Sequence, residues 1–133
     1  MGHDPLSRLP HGFPFRFVDR TLSIVRGDRV VAVSNVTADG PYLQGLFPET
    51  PLVPGVLLVE TMAQAAGMLL PEGSTARLAQ VREARFRRPV VPGDRVRIEA
   101  ARLPGLGTLH RFHVTAAVDG QTVAESEIVL AEA

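Results

Sequence analysis

One stretch limits what this chain can become. From Pro54 to Leu70 it reads PGVLLVETMAQAAGMLL, apolar nearly all round at helical pitch. Pro54 suits a first-turn position, and Pro71 followed by Gly73 ends the helix. A helix of this kind belongs inside a protein rather than on its surface. No other segment reads as a substantial helix, so whatever else folds must fold around this one.

The rest reads as strands. Arg16–Arg26 and Arg29–Thr37 are joined at Gly27-Asp28, a hairpin signal. Ala76–Arg87 is a further strand. In Asp94–Leu103, Val96, Ile98 and Ala100 point one way and Arg95, Arg97 and Glu99 the other. Gly107–Val118 and Gln121–Leu130 meet at Asp119-Gly120, a type I′ turn signal. Residues 6–15 and 38–51 are rich in Pro and Gly and read as irregular. A sheet of five to six strands must cover one face, and only one helix is present to do it. The expected fold is therefore α+β, a single domain over residues 1–133, with an antiparallel sheet wrapped around a central helix. The remaining edge and face call for a second copy, so a dimer is expected.

Composition excludes several functions. Acidic and basic residues balance at 14 each, which gives no electrostatic reason to expect nucleic acid or an anionic membrane. All the basic residues are Arg. There is no cysteine, so disulfides, thiolate metal sites and a Cys nucleophile are out. The opening MGHDPLSRLP lacks the apolar core of a secretion signal, and Val53–Val59 is too short to span a bilayer, so the expected location is cytoplasmic. No His, Asp or Glu spacing suggests a metal, and no cofactor is expected. His110 and His113, three apart on a strand, face opposite sides.

Glu60 stands out as the lone carboxylate of the helix. A carboxylate buried without a partner costs several kcal/mol, on the order of a lost hydrogen bond or more, so it needs a role. Gln64 lies one turn on and shares its face.

Three blocks carry a resemblance: LPHGFPFRFVDR (Leu9–Arg20), FPETPLVPGVLLVETMAQ (Phe47–Gln64) and RFRRPVVPGD (Arg85–Asp94). In this order and spacing, with the ending VDGQTVAESEI, the chain resembles the FabZ-type β-hydroxyacyl-acyl-carrier-protein dehydratases, over roughly Leu9 to Leu130. The resemblance implies a hotdog fold paired as a dimer. It implies a 3-hydroxyacyl thioester on acyl carrier protein, or on CoA, losing water to give a 2-enoyl thioester in fatty acid or polyketide-type biosynthesis. Glu60 falls on the family's general acid and Gly55 on the backbone donor that polarises the thioester carbonyl. Gln64, Val56, Pro54, Phe47 and His11 fall on positions lining the substrate. Arg82, Arg85, Arg87 and Arg88 are placed to dock an acidic carrier or a phosphate. By strand alternation Arg85 and Arg87 share one face, and Arg82 and Arg88 the other.

The chain departs from the family at its base. The family's catalytic His stands just before Phe-Pro, fourteen residues ahead of the Glu, and here that position is Leu46, with Glu49 also unusual. Leu cannot accept a proton, and loss of a general base costs on the order of 10²–10⁴-fold. Two other roles therefore stay open: a catalytically impaired subunit that pairs with a His-bearing hotdog chain, or an acyl thioesterase that uses Glu60 alone.

Overall fold

The computed structural model describes residues 16–37 and 52–132. Among them are six strands and one helix: β1 (Arg20–Val25), β2 (Arg29–Asn35), α1 (Gly55–Gly67), β3 (Ala76–Phe86), β4 (Arg95–Leu106), β5 (Leu109–Val118) and β6 (Gln121–Glu132). The strands form one antiparallel sheet in the order β1-β2-β4-β5-β6-β3. The expected hairpins are present. Asp119 and Gly120 both have positive φ, the backbone a type I′ turn requires.

Alternation decides what each strand buries. Val96, Ile98 and Ala100 of β4 point inward, and so do Phe112, Val114 and Ala116 of β5. β2 buries Val30 through Val33 on both faces, as its poor alternation implied. α1 packs across β2, β4 and β5. Its small residues Ala65 and Ala66 are fully buried, which lets helix and sheet approach closely, while Met62 and Leu58 fill the space between. Burial of each of those two larger side chains is worth roughly 1.5–3 kcal/mol.

Several expectations are corrected. Pro54 is the N-cap of α1, with φ −57° and ψ 143°, rather than a residue of its first turn. The helix ends at Gly67, and Met68–Leu70 continue as turn with backbone bonds three residues back. The helix is not buried all round: Val56 is 78% exposed and Glu60 only half-buried. β1 starts at Arg20, because the stretch before it runs past β2 on its own bonds. Ser34 Oγ donates to the Phe17 carbonyl at 2.6 Å, and the Asn35 N–H donates to Asp19 Oδ2 at 2.6 Å.

β3 departs most from the expected pattern. It pairs with β6 on one side, and its other edge is open. The pairing is irregular between Leu78 and Gln80 and between Arg82 and Arg85, and Glu83 has φ +51°. The second irregularity breaks the alternation, so Arg82 opposes Glu127 and Arg85 opposes Glu125 across the same face. Arg82 therefore shares a face with Arg85 instead of facing away from it.

A polar clamp closes the far end of the molecule. Arg102 of β4 donates to the Leu69 carbonyl just past α1 at 3.0 Å, and to the Gly27 carbonyl in the β1–β2 turn. Its third contact is His110 Nδ1 at 3.0 Å. Arg can only donate, so Nδ1 accepts and Nε2 carries the proton, which it gives to Glu132 Oε2 at 2.9 Å. Ser74 Oγ holds the other Glu132 oxygen at 2.9 Å, and the Arg102 guanidinium lies 5.0 Å from the Phe112 ring centre.

Candidate active site

The start of α1 is fixed by its neighbours. The Val53 N–H donates to the Val90 carbonyl at 2.8 Å, tying the helix entry to the loop between β3 and β4. The Pro54 carbonyl accepts from Leu57 and Leu58 at 3.0 and 3.1 Å. Among the described residues no side chain caps this end, and its first turn carries no acid. Its early N–H groups therefore keep the donor capacity and partial positive charge of a helix start. A cavity of about 430 Å³ opens there, lined by Val53, Gly55, Leu58, Phe86, Arg87 and Arg88 among others.

Glu60 sits five residues on, about 140° around the axis from Gly55. It is not adrift. Gln64 Nε2 donates to Glu60 Oε1 at 3.1 Å, and Gln64 Oε1 accepts from the Phe17 N–H at 2.9 Å. Gln64 is 2% exposed, so hydrogen bonds of this kind stand in for the water its amide has lost. Its orientation is also decided: the side that meets the Phe17 N–H must be oxygen, which turns the NH₂ toward the carboxylate.

The sequence-predicted residues thus fall into two groups within one chain. Gly55, Arg87 and Arg88 meet at the cavity, and Pro54 adjoins it as the N-cap. Glu60 bonds Gln64, and Gln64 bonds Phe17. Val56 points to the outside. His11, Leu46, Phe47 and Glu49 lie outside the described residues.

The arginines have mostly local partners. Arg87 pairs with Glu125, and Arg82 with Glu127 at 3.4 Å. Arg111 of β5 also holds Glu127, at 2.8 Å. The Arg87 bond holds the Glu125 carboxyl below the usual glutamate range, and the Arg111 bond does the same for Glu127. Arg88 differs: it donates to Gln121 Oε1 at 3.0 Å and to the Val118 carbonyl at 3.4 Å. Both acceptors are neutral, so neither cancels its charge beside the cavity. Reading the sequence alone missed Phe86, which packs against Gly55, and the Arg102–His110–Glu132 clamp. Phe86 lay inside the quoted RFRRPVVPGD block, and that was its only signal.

Among the described residues one helix is wrapped by a six-stranded antiparallel sheet, the arrangement of the hotdog class. Solved structures share it. The dehydratase heterocomplex ApeI:P from Xenorhabdus doucetiae has a TM-score of 0.83 at 19% identity, covering 99% of this chain and 93% of that one. The uncharacterized protein PH1136 from Pyrococcus horikoshii has a TM-score of 0.72 at 20% identity, covering 90% and 85%. Sequence carries the assignment further. The FabA-like domain matches residues 9–127. The 3-hydroxyacyl-[acyl-carrier-protein] dehydratase FabZ of Granulibacter bethesdensis is 45% identical over 128 residues, covering 91% of this chain and 75% of that protein. The FabZ of Sinorhizobium medicae is 44% identical, covering 92% and 83%. The chain belongs to the FabZ dehydratase family.

Proposed function

We propose that the protein acts on 3-hydroxyacyl thioesters presented by an acyl carrier protein and removes water to give the 2-enoyl thioester. The observation that carries this reading is the Glu60–Gln64–Phe17 chain on the helix that begins at Gly55. Elimination needs a proton delivered to the departing C3 hydroxyl and a donor for the thioester carbonyl as charge builds on it. Glu60, aimed by Gln64, is suited to the first. The Gly55 N–H, at the helix start, is suited to the second. Arg88 is suited to a phosphate or an acidic carrier at the cavity. A dimer built along β3 fits its open edge, where Leu78 and Val81 are exposed.

The third requirement, a group to take the C2 proton, is where Leu46 matters. It favours a second reading: this chain pairs with another hotdog subunit whose His completes the site. Among the described residues no helix is long and apolar enough to cross a membrane, so neither reading has to place the site in a bilayer.

The test is to offer the purified protein 3-hydroxybutyryl thioester on a carrier protein and to follow enoyl product and free thiol. Product formed by wild type and lost in Glu60→Gln supports the proposal. An inert wild type that becomes active on mixing with a His-bearing relative supports the second reading. Glu60-dependent release of thiol with no enoyl product sinks both.

A further inference from the structure

Gly55 poses a problem that Phe86 answers. Glycine in a helix costs conformational entropy relative to alanine, so a reason is needed for its presence. Backbone shape is not the reason, because Gly55 is absent from the glycines with positive φ. Contact is. A Cβ at position 55 would lie 3.2 Å from Phe86 Cζ and 3.3 Å from Cε1, tighter than ordinary van der Waals contact. The ring therefore presses against the start of α1 at the residue whose N–H is the proposed carbonyl donor.

Phe86 is also poorly hidden for a phenylalanine. It closes β3 opposite Ala124, yet half of its surface, 50%, remains exposed. A ring that served the core alone would be buried. Here its free surface looks into the cavity that Gly55, Arg87 and Arg88 share. One edge is fixed against Gly55 while the rest is available to whatever enters.

We propose that Phe86 is a positioning residue for the thioester. Its exposed ring carries an amide of the pantetheine arm, and its edge sets the distance at which the carbonyl meets the Gly55 N–H. Aromatic rings suit such a partner, since amide planes stack on their faces. This inference rests on the thioester reading given under Proposed function.

The experiment uses butyryl-pantetheine, labelled with carbon-13 at the thioester carbonyl, which cannot be hydrated. With wild type, the carbonyl resonance should move to higher frequency on binding as the donor polarises it. In Phe86→Ala that displacement should shrink by half or more and the Kd rise about fivefold, in line with loss of one aromatic contact. Phe86→Tyr, which keeps the ring, should restore both. Gly55→Ala should weaken binding about tenfold, and Phe86→Leu added to it should recover part of the loss by giving the new methyl room. An unchanged carbonyl displacement in Phe86→Ala, with binding intact, would overturn the role of Phe86 and leave the thioester reading standing. Failure of wild type to bind the probe at all would overturn both.

Discussion

Gln64 Nε2 donates to Glu60 Oε1 at 3.1 Å while the other end of the same amide accepts the Phe17 N–H at 2.9 Å. The orientation of the carboxylate is therefore linked to a backbone segment forty-seven residues earlier in the chain. Removing the amide takes a hydrogen bond from each of them at once. Gln64→Leu should cost about 1–3 kcal/mol, the price of a buried N–H left without an acceptor. It should also lower Glu60-dependent turnover at least tenfold. Gln64→Glu keeps an acceptor for Phe17 but sets a second carboxylate beside Glu60. Its stability should suffer less than its turnover. Urea unfolding and product formation by the two variants check this.

Arg102 joins three elements: the turn after α1, the β1–β2 turn and β5. Arg102→Met keeps the stem but strips every donor. It should destabilise the fold by about 1–3 kcal/mol, because carbonyls that were satisfied lose their partner. Arg102→Lys should recover only part, since a single ammonium cannot reproduce the guanidinium fork. The urea midpoint should fall in both, with an unchanged slope.

Stability should decline in acid for a specific reason. Glu132 is held below the ordinary glutamate value of 4.5 by the His110 bond and then by Ser74. Glu125 and Glu127 are lowered by Arg87 and Arg111. The folded chain then binds fewer protons than the unfolded chain as these groups titrate. Their contribution is complete above the ordinary glutamate value and is lost as pH falls through the lowered ones. Thermal midpoints measured across the acid range should drop there. Glu132→Gln should flatten its share of the drop, and a midpoint independent of pH in that window would contradict the assignment.

Restoring the base should restore chemistry. Leu46→His places an imidazole where the family resemblance sets the proton acceptor. Hydration of a crotonyl thioester, the reverse of the proposed elimination, should rise by about 10²–10⁴-fold over wild type. The gain should vanish when Glu60→Gln is added. A rise that survives without Glu60 would show that the new His acts independently of the helix carboxylate.

Most of the fold was legible because it is written in short-range signals. The helix announces itself by composition and by flanking prolines. The Asp119-Gly120 turn and the alternation of Val96, Ile98 and Ala100 each depend on neighbours in sequence. What was hidden depends on distant partners. Nothing in VREARF marks a bulge, since neither Gly nor Pro stands at Glu83, so strand alternation placed Arg82 on the wrong face. His110 looked inert because its partners, Arg102 and Glu132, approach from two other strands. Phe86 could not be linked to Gly55 without the sheet that brings β3 beside the helix start. The site was half legible: Glu60 and Gln64 share a face by spacing, while Phe17 enters only in three dimensions.

The two irregularities in β3 also bear on the life of a newly made chain. An eleven-residue edge carrying the exposed Leu78 and Val81 is open to any strand that approaches it. A flat edge of that length would seed fibrous stacking. Broken twice and studded with Arg77, Arg82 and Arg85, it offers no long straight run of N–H and C=O groups to a stranger. In the dimer proposed along β3 the incoming strand must match both offsets, so the feature that disturbs the strand also guards the exposed edge.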